Sequence, residues 1–263
     1  MIAVVIVSWN TADLLTDCLR TLPAAASDPL DVVVVDNASS DASVARAKAF
    51  GARVFANEAN VGYARANNQG WRSADSQADV VVLLNSDTLV PSGALGQLAD
   101  ALRVDDTCGA CGPQLLLPDG RPQPFGFGGD PTPAYLMTRT WRRLRGQPMH
   151  PWGDPKAREV DWTSGACLAL RREALEAVGG LDERFFMYFE DVDLCRRVRA
   201  AGWRVRRVPE ANVTHLGGQS LRQNPAARRA YGDSLRLFYR KHFGALARLW
   251  LTLALPLYQR ARA

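Results

Sequence analysis

Four short, mostly apolar runs, residues 2–7, 31–35, 52–56 and 80–84, punctuate the first third of the chain, and each ends in polar residues. They are rich in β-branched side chains and too short for helices, the pattern of strands buried on both faces of a sheet. Between them, residues 12–22, a stretch capped by Ser40 or Asp41 and running to Phe50, and a stretch opened by residues 60–70 carry helical spacing. A further helix is expected from Pro91. Strands alternating with helices at this spacing predict right-handed parallel crossovers, hence an α/β, Rossmann-like fold with a central, mostly parallel sheet flanked by helices.

From residue 113 to 155 the periodicity dissolves into recurring Pro and Gly, with Arg139, Arg142, Arg143 and Arg145 grouped around Trp141. Such a segment reads as a functional loop, or as a solvated basic surface. Order returns at residues 160–170, a strand interrupted by Trp162-Thr163-Ser164-Gly165, followed by a short helix over 171–178. Five apolar or aromatic residues then run into Glu190, Asp191 and Asp193 at the start of a helix. A late strand covers 205–208, and His215 opens a polar turn with Gly217, Gly218 and Ser220. The chain closes on a basic helix over 225–243 and a mostly apolar one over 245–258.

Composition narrows the class. With 47% hydrophobic and 22% charged residues over 263 positions, the chain carries a full core and is not disordered. A net charge of +5 suits anionic small molecules or an anionic membrane surface and is too small to argue for nucleic acid. Of five Cys, Cys108 and Cys111 form a lone CxxC without a second pair, so they read as small buried thiols in a reducing compartment rather than a zinc or redox centre. The start of the chain lacks the basic region of a signal peptide, and no stretch reaches the roughly 18 apolar residues that span a bilayer. A cytoplasmic protein, in peripheral contact with the membrane at most, is expected.

The candidate chemistry sits at strand ends, where open α/β sheets bind ligands. The turn after the first strand is Ser8-Trp9-Asn10-Thr11; without glycine it cannot be a dinucleotide fingerprint, which removes the dehydrogenase reading. Asp36 ends the second strand, suited to a ribose or a pyrimidine N–H, and Arg65 is placed to reach a diphosphate. Asn85-Ser86-Asp87 ends the fourth, where Asp87 can meet a hard cation and a phosphate. Glu190, Asp191 and Asp193 crowd against an aromatic wall, which pushes at least one carboxyl toward a basic pKa.

Taken in order, Val-Val-Ile-Val-Ser-Trp-Asn, Val-Val-Asp-Asn-Ala-Ser-Ser-Asp, Asn-Val-Gly-Tyr-Ala-Arg-Ala-Asn-Asn, Leu-Leu-Asn-Ser-Asp, Tyr-Phe-Glu-Asp-Val-Asp-Leu-Cys-Arg-Arg and His-Leu-Gly-Gly-Gln-Ser resemble the family-2 glycosyltransferases of the GT-A fold, and within them the bacterial rhamnosyltransferase-like branch. The resemblance covers roughly residues 2–240. It implies one GT-A domain over 1–243, with a nucleotide-sugar-binding half (1–112) and an acceptor-binding half (113–243), and a separate C-terminal apolar helix over 244–263 that can meet a membrane. It implies nucleotide-sugar contacts at Ser8, Asn10, Asp36, Arg65, Asn85, Ser86 and Asp87, and Mg²⁺ or Mn²⁺ on Asp87 and His215. Asp191 falls at the catalytic base and Glu190 beside it holds the acceptor, with Trp162 and Ser164 lining the acceptor side.

Asn85 departs from the family's two-carboxylate motif, and a neutral amide is a weaker ligand for a hard cation. The departure is common in the rhamnosyltransferase-like branch and favours dTDP-rhamnose as donor. The partners implied are a nucleotide-diphosphate sugar and a glycan or polyprenyl-linked glycolipid. Two rivals remain at this point: a sugar nucleotidyltransferase, which needs a Gly-rich basic loop that residues 8–11 lack, and a non-catalytic nucleotide-sugar-binding protein.

Overall fold

A computed structural model describes residues 1–148, 150–155, 158–217 and 225–260, with only the helical backbone described over 225–228 and 255–260. Residues 218–220, the end of the polar turn expected after His215, lie outside the described residues. The strands are β1 (Ile2–Ser8), β2 (Leu30–Asp36), β3 (Arg53–Ala56), β4 (Val80–Asn85), β5 (Thr88–Leu89), β6 (Cys108–Leu116), β7 (Phe127–Gly128), β8 (Trp162–Thr163), β9 (Cys167–Arg171) and β10 (Arg204–His215). The helices are α1 (Ala12–Thr21), α2 (Ser43–Phe50), α3 (Tyr63–Ser73), α4 (Ala94–Val104), α5 (Pro133–Leu144), α6 (Arg172–Ala177), α7 (Glu190–Ala200), α8 (Pro225–His242) and α9 (Ala245–Arg260).

Eight strands form one sheet in the order β3-β2-β1-β4-β9-β6-β10-β5, and β7 with β8 form a second, two-stranded ladder. The first four strands pair in parallel as expected. β9 then runs antiparallel between β4 and β6, and β10 returns parallel to β6. Alternate residues of each strand feed two cores. Ala3, Val5, Val81 and Leu83 pack with α3 and α7 on one face, while Ile2, Val4, Val80 and Val82 pack with α1 and α4 on the other.

Two elements lie inside the stretch whose periodicity dissolves. β6 carries Gly109, Gly112 and Pro113, which break a strand pattern, but the glycines are steric requirements. A Cβ on Gly109 would lie 2.6 Å from Trp203, and one on Gly112 would collide with Thr163. The bulge at Gly109 also brings Cys108 and Cys111 into the same core, where both thiols are buried and reduced. Burial lifts Cys108 to about 11 and Cys111 well above the ordinary thiol value, so neither is a ready thiolate.

α5 was hidden for another reason: its inward side is Tyr135, Leu136 and Arg139, not an aliphatic stripe. The Arg139 guanidinium is buried among Phe125, Tyr135 and Trp152, 4.8 to 5.8 Å from their ring centres. Its start is capped by Thr132, which accepts from the Tyr135 N–H, with Pro133 in the first turn.

Asp193 on α7 is fully buried and meets two cations and an imidazole: Arg197 at 2.7 Å, Lys241 at 2.7 Å and His242 at 2.7 Å. Burial alone would raise its pKa, but His242, Lys241 and Arg197 together hold it below the ordinary carboxylate value. It ties α8 to α7. Asp193→Ala leaves those cations without their anion, so unfolding stability should drop by about 3–5 kcal/mol. Urea denaturation measures it, and a loss within experimental scatter would mean that the network is not what fastens α8.

Candidate active site

The crevice opens where β1, β2 and β4 end. Beyond β1, Asn10 adopts a left-handed φ of 54° and its Oδ1 accepts from the Ser40 N–H at 2.8 Å, stapling the first turn to the second. Asp41 reinforces this, accepting from the Ala12 N–H with one oxygen and from the Ser43 N–H with the other, so one acid serves the starts of α1 and α2. Ser8 is buried with its hydroxyl 3.0 Å from that of Thr11, which donates to Ser86 Oγ. Asp36 accepts from the Ser39 N–H through Oδ2, while its buried Oδ1 has no partner. An orphaned carboxylate oxygen at a strand end is an acceptor waiting for a donor group.

At the end of β4, Asp87 Oδ1 lies 3.1 Å from His215 Nε2, and Asn85 Nδ2 lies 3.3 Å from the same nitrogen. His215 reaches this point because β10 pairs with β5, placing it opposite Thr88. Its other nitrogen, Nδ1, donates to Gln123 Oε1 at 3.0 Å, with the amide oriented by this network. An imidazole nitrogen and a carboxylate oxygen, both atoms that can ligate a cation, thus lie 3.1 Å apart beside the Asn85 amide. Gly217 leaves the room: a Cβ there would overlap Asp87 Oδ2. Among the described residues no group of three or more His, Cys, Asp or Glu forms a closed cation cage. The donor set therefore fits a Mg²⁺ or Mn²⁺ ion that completes its shell with ligand and water oxygens.

Opposite stands the acidic pair. Tyr188 and Phe189 both take left-handed φ, 70° and 66°, to turn the chain sharply into α7. Strain of this kind in bulky residues persists only where the surroundings enforce it. Here Gly62 and the Tyr63 N–H, which donates to Phe186 O at 2.7 Å, clamp the turn from α3. Asp191 accepts from the Gly165 N–H at 2.9 Å and the Val192 N–H at 2.8 Å, and stays partly open to solvent. Glu190 is buried and its Oε2 has no partner. Burial, then the charge of Asp191, pushes the Glu190 carboxyl well above the ordinary glutamate value. Burial raises Asp191 as well, against the pull of its backbone amide bonds. The crowding expected from the sequence is real.

Tyr63 joins the two ends. Its hydroxyl donates to Gly165 O at 2.8 Å, on the peptide neighbouring the one that grips Asp191. Burial first, then the charges of Glu190, Asp191 and Asp87, raise its own pKa. The Asn85 N–H donates to Ala166 O at 3.0 Å, so the 164–166 turn touches both the strand-end cluster and the base helix.

Asn85, Asp87 and His215 thus form one cluster, Glu190 and Asp191 face it across Tyr63, and Ser8, Asn10, Asp36 and Ser86 line the adjoining crevice. Arg65 stands apart, exposed and 3.9 Å from Glu183. Trp162 is packed in the core with its indole N–H given to Gly129 O, and Ser164 caps the turn through its bond from the Ala166 N–H. Sequence reasoning passed over Gln123, Tyr63 and the fit of Gly217 against Asp87. Gln123 lies in the aperiodic stretch with no pattern to mark it; Tyr63 lies inside a motif noticed for its glycine and arginine.

A mostly parallel sheet in which β9 and β5 run antiparallel, with acids at the carboxyl end of β4 and at the start of α7, is the architecture of a GT-A glycosyltransferase, and residues 1–231 match the sequence profile described as glycosyltransferase like family 2. The chain belongs to that family. It is 33% identical over 248 residues to the N-acetylglucosaminyl-diphospho-decaprenol L-rhamnosyltransferase of Mycobacterium tuberculosis, covering 86% of this chain and 80% of that protein. It is 41% identical over 56 residues to the Escherichia coli rhamnosyltransferase WbbL, 21% of each chain. Among solved structures it is similar to the mannosyltransferase PcManGT from Pyrobaculum calidifontis in complex with GDP-Man and Mn²⁺. The TM-score is 0.65 at 22% identity, over 91% of this chain and 63% of that one. The chain thus spans a little under two thirds of that solved structure's length.

A carboxyl whose folded pKa is raised stabilises the fold while protonated, and that contribution fades as pH climbs through the folded value. Glu190 is such a group, so wild-type stability should fall as pH rises above the ordinary glutamate range. Glu190→Gln removes the titration; its melting temperature should exceed wild type at neutral and alkaline pH and converge with it in acid. A variant less stable than wild type across the whole range contradicts the raised value.

Proposed function

We propose that this glycosyltransferase moves L-rhamnose from dTDP-rhamnose, with inversion, to a hydroxyl of a polyprenyl-linked glycolipid during cell-surface polysaccharide synthesis. The observation that carries the reading is the opposed pair of Asp87 Oδ1 and His215 Nε2 at 3.1 Å. Such a pair suits a divalent ion at the diphosphate of a nucleotide sugar. The names of the relatives support the sugar and the acceptor, since the mycobacterial relative is a rhamnosyltransferase of N-acetylglucosaminyl-diphospho-decaprenol. The catalytic unit spans residues 1–243, with donor contacts drawn mainly from 1–112.

In this reading Asp36 Oδ1 accepts from the nucleoside, and Asn10 and Ser86 border the donor. Arg65 needs only to leave Glu183 to reach the diphosphate. Asp191 takes the proton of the acceptor hydroxyl. The acceptor oxygen then bonds to the anomeric carbon from the opposite face, as the carbon–oxygen bond to the diphosphate breaks and the diphosphate keeps the electron pair. Mg²⁺ or Mn²⁺ on Asp87 and His215 supplies neutralising charge for that leaving group. The Gly165 and Val192 amides hold Asp191 in one orientation with lone pairs to spare. Burial raises the Glu190 pKa and so favours its protonated form, which in this reading donates to an acceptor oxygen, a task that a charged carboxylate cannot perform. The protein works in the cytoplasm at the membrane surface, where a lipid-linked acceptor presents its sugar.

Asp191→Asn keeps the shape and removes the base, so donor affinity by calorimetry should persist while transfer falls by about 10²–10⁴-fold. If that variant transfers within a few-fold of wild type while Glu190→Gln is dead, the base is Glu190. Asp87→Ala and Gly217→Ala address the cation site from opposite sides, one deleting the ligand and the other filling its space. Both should weaken Mn²⁺-dependent donor binding while circular dichroism stays native, and full activity of the wild type in EDTA would sink the cation assignment.

A further inference from the structure

Eleven large hydrophobic side chains are exposed among the described residues, and six of them lie on just two helices. α5 exposes Met137, Trp141 and Leu144, and α9 exposes Leu246, Leu249 and Leu253. Each set follows three- and four-residue steps, one stripe along each helix. The two helices touch. The other side of α9 is already used: Trp250 stacks on Tyr239 with ring centres 6.5 Å apart, and Leu251 is buried. A packed helix that still shows leucines at 59% to 85% exposure has a second face without a partner.

Charge says what that face meets. Neither helix contains an Asp or Glu. Arg142 and Arg145 flank Trp141, the latter with its guanidinium 3.6 Å from the ring centre, and Arg240 and Arg248 are exposed beside α9. Apolar stripes with a tryptophan, edged only by arginine, match the boundary between headgroups and acyl chains of an anionic bilayer. No helix among the described residues is long and apolar enough to cross one.

We infer that α5 and α9 together form a docking surface for an anionic lipid bilayer, with Trp141 and Leu249 entering the headgroup region. This deepens the proposed reading, which it needs for the acceptor's identity but not for binding itself. The surface is joined firmly to the chemistry. Tyr239 on α8 donates to Pro131 O just ahead of α5, and Lys241 and His242 on the same helix hold Asp193 of α7. A bilayer held by α5 and α9 is therefore fixed relative to Asp191. The basic aromatic stretch around Trp141 and the apolar C-terminal helix, two unrelated features of the sequence, become one surface.

The test is co-sedimentation of the full chain with vesicles of phosphatidylcholine alone and of phosphatidylcholine mixed with phosphatidylglycerol. Binding is expected to the mixed vesicles only and to weaken with salt. Trp141→Ser combined with Leu249→Ser should lower partitioning about 100-fold, roughly tenfold per apolar side chain kept in water. Arg142→Glu should lower it by about fivefold or more. Transfer to a short-chain, water-soluble acceptor should be unchanged in all of them. The proposal is overturned if the chain stays in solution with anionic vesicles or if the double serine variant binds like wild type. It is equally overturned if sedimentation velocity finds a dimer that this variant dissolves, because the face then belongs to a second copy. Vesicle binding without any transfer from dTDP-rhamnose would instead refute the donor assignment and leave this surface standing.

Discussion

Three carboxylates, those of Asp87, Glu190 and Asp191, are held around Tyr63 with no lysine or arginine among the described residues to neutralise them. Many acids elsewhere in the fold are paired: Asp79 with Arg103, Asp130 with Arg196 and Arg199, Asp182 with Arg184 and Lys241. Leaving like charges together and partly buried costs stability that only rigid surroundings can maintain. The rest of the site follows from that constraint. Backbone amides of Gly165 and Val192 take the place of cations at Asp191, burial raises the pKa of Glu190, and Nε2 of His215 lies 3.1 Å from Asp87.

The backbone bears the cost. Among the described residues, all five non-glycine residues with positive φ, namely Asn10, Ala38, Phe125, Tyr188 and Phe189, lie at the ends of β1 and β2, two residues from Gln123 or at the start of α7. None lies in the packed layers of the sheet. Phe125 follows shortly after Gln123, whose N–H is anchored on Leu115 O, so the loop that orients His215 is held at both ends of a short strained run. Rigid amide and imidazole contacts at this distance from the sheet explain why the site does not depend on a single element.

Much of this was written in the chain and some was not. β1, β2 and β4 were legible because a strand buried on both faces has only one way to look, an apolar run, whereas β3, read in the same way, is an exposed edge strand. β6 was not, since Gly109, Gly112 and Pro113 answer to Trp203 and Thr163, partners far away in sequence. The late strand expected over 205–208 proved to run on to His215 as β10, bent where its register against β6 shifts between Val208 and Asn212. The single strand expected over 160–170 is divided between two sheets at the turn that holds Asp191. The acids announced themselves at strand and helix ends, whereas Gln123 and Tyr63 matter through what they hold, and a single sequence carries no mark for that.

The antiparallel insertion of β9 also sets a timetable for synthesis. β4 and β6 both need β9 as neighbour, but β9 begins at residue 167, about 50 residues after β6 ends at 116. A ribosome adding residues at about 5–20 per second leaves the two strands without their shared partner for roughly 3–10 s. Through that interval the nascent chain carries two open apolar edges of the kind that invite pairing with other chains. The cysteines, glycines and proline of β6 make it a poor template for such pairing, and the strand least recognisable in the sequence is the one that gains most from being so.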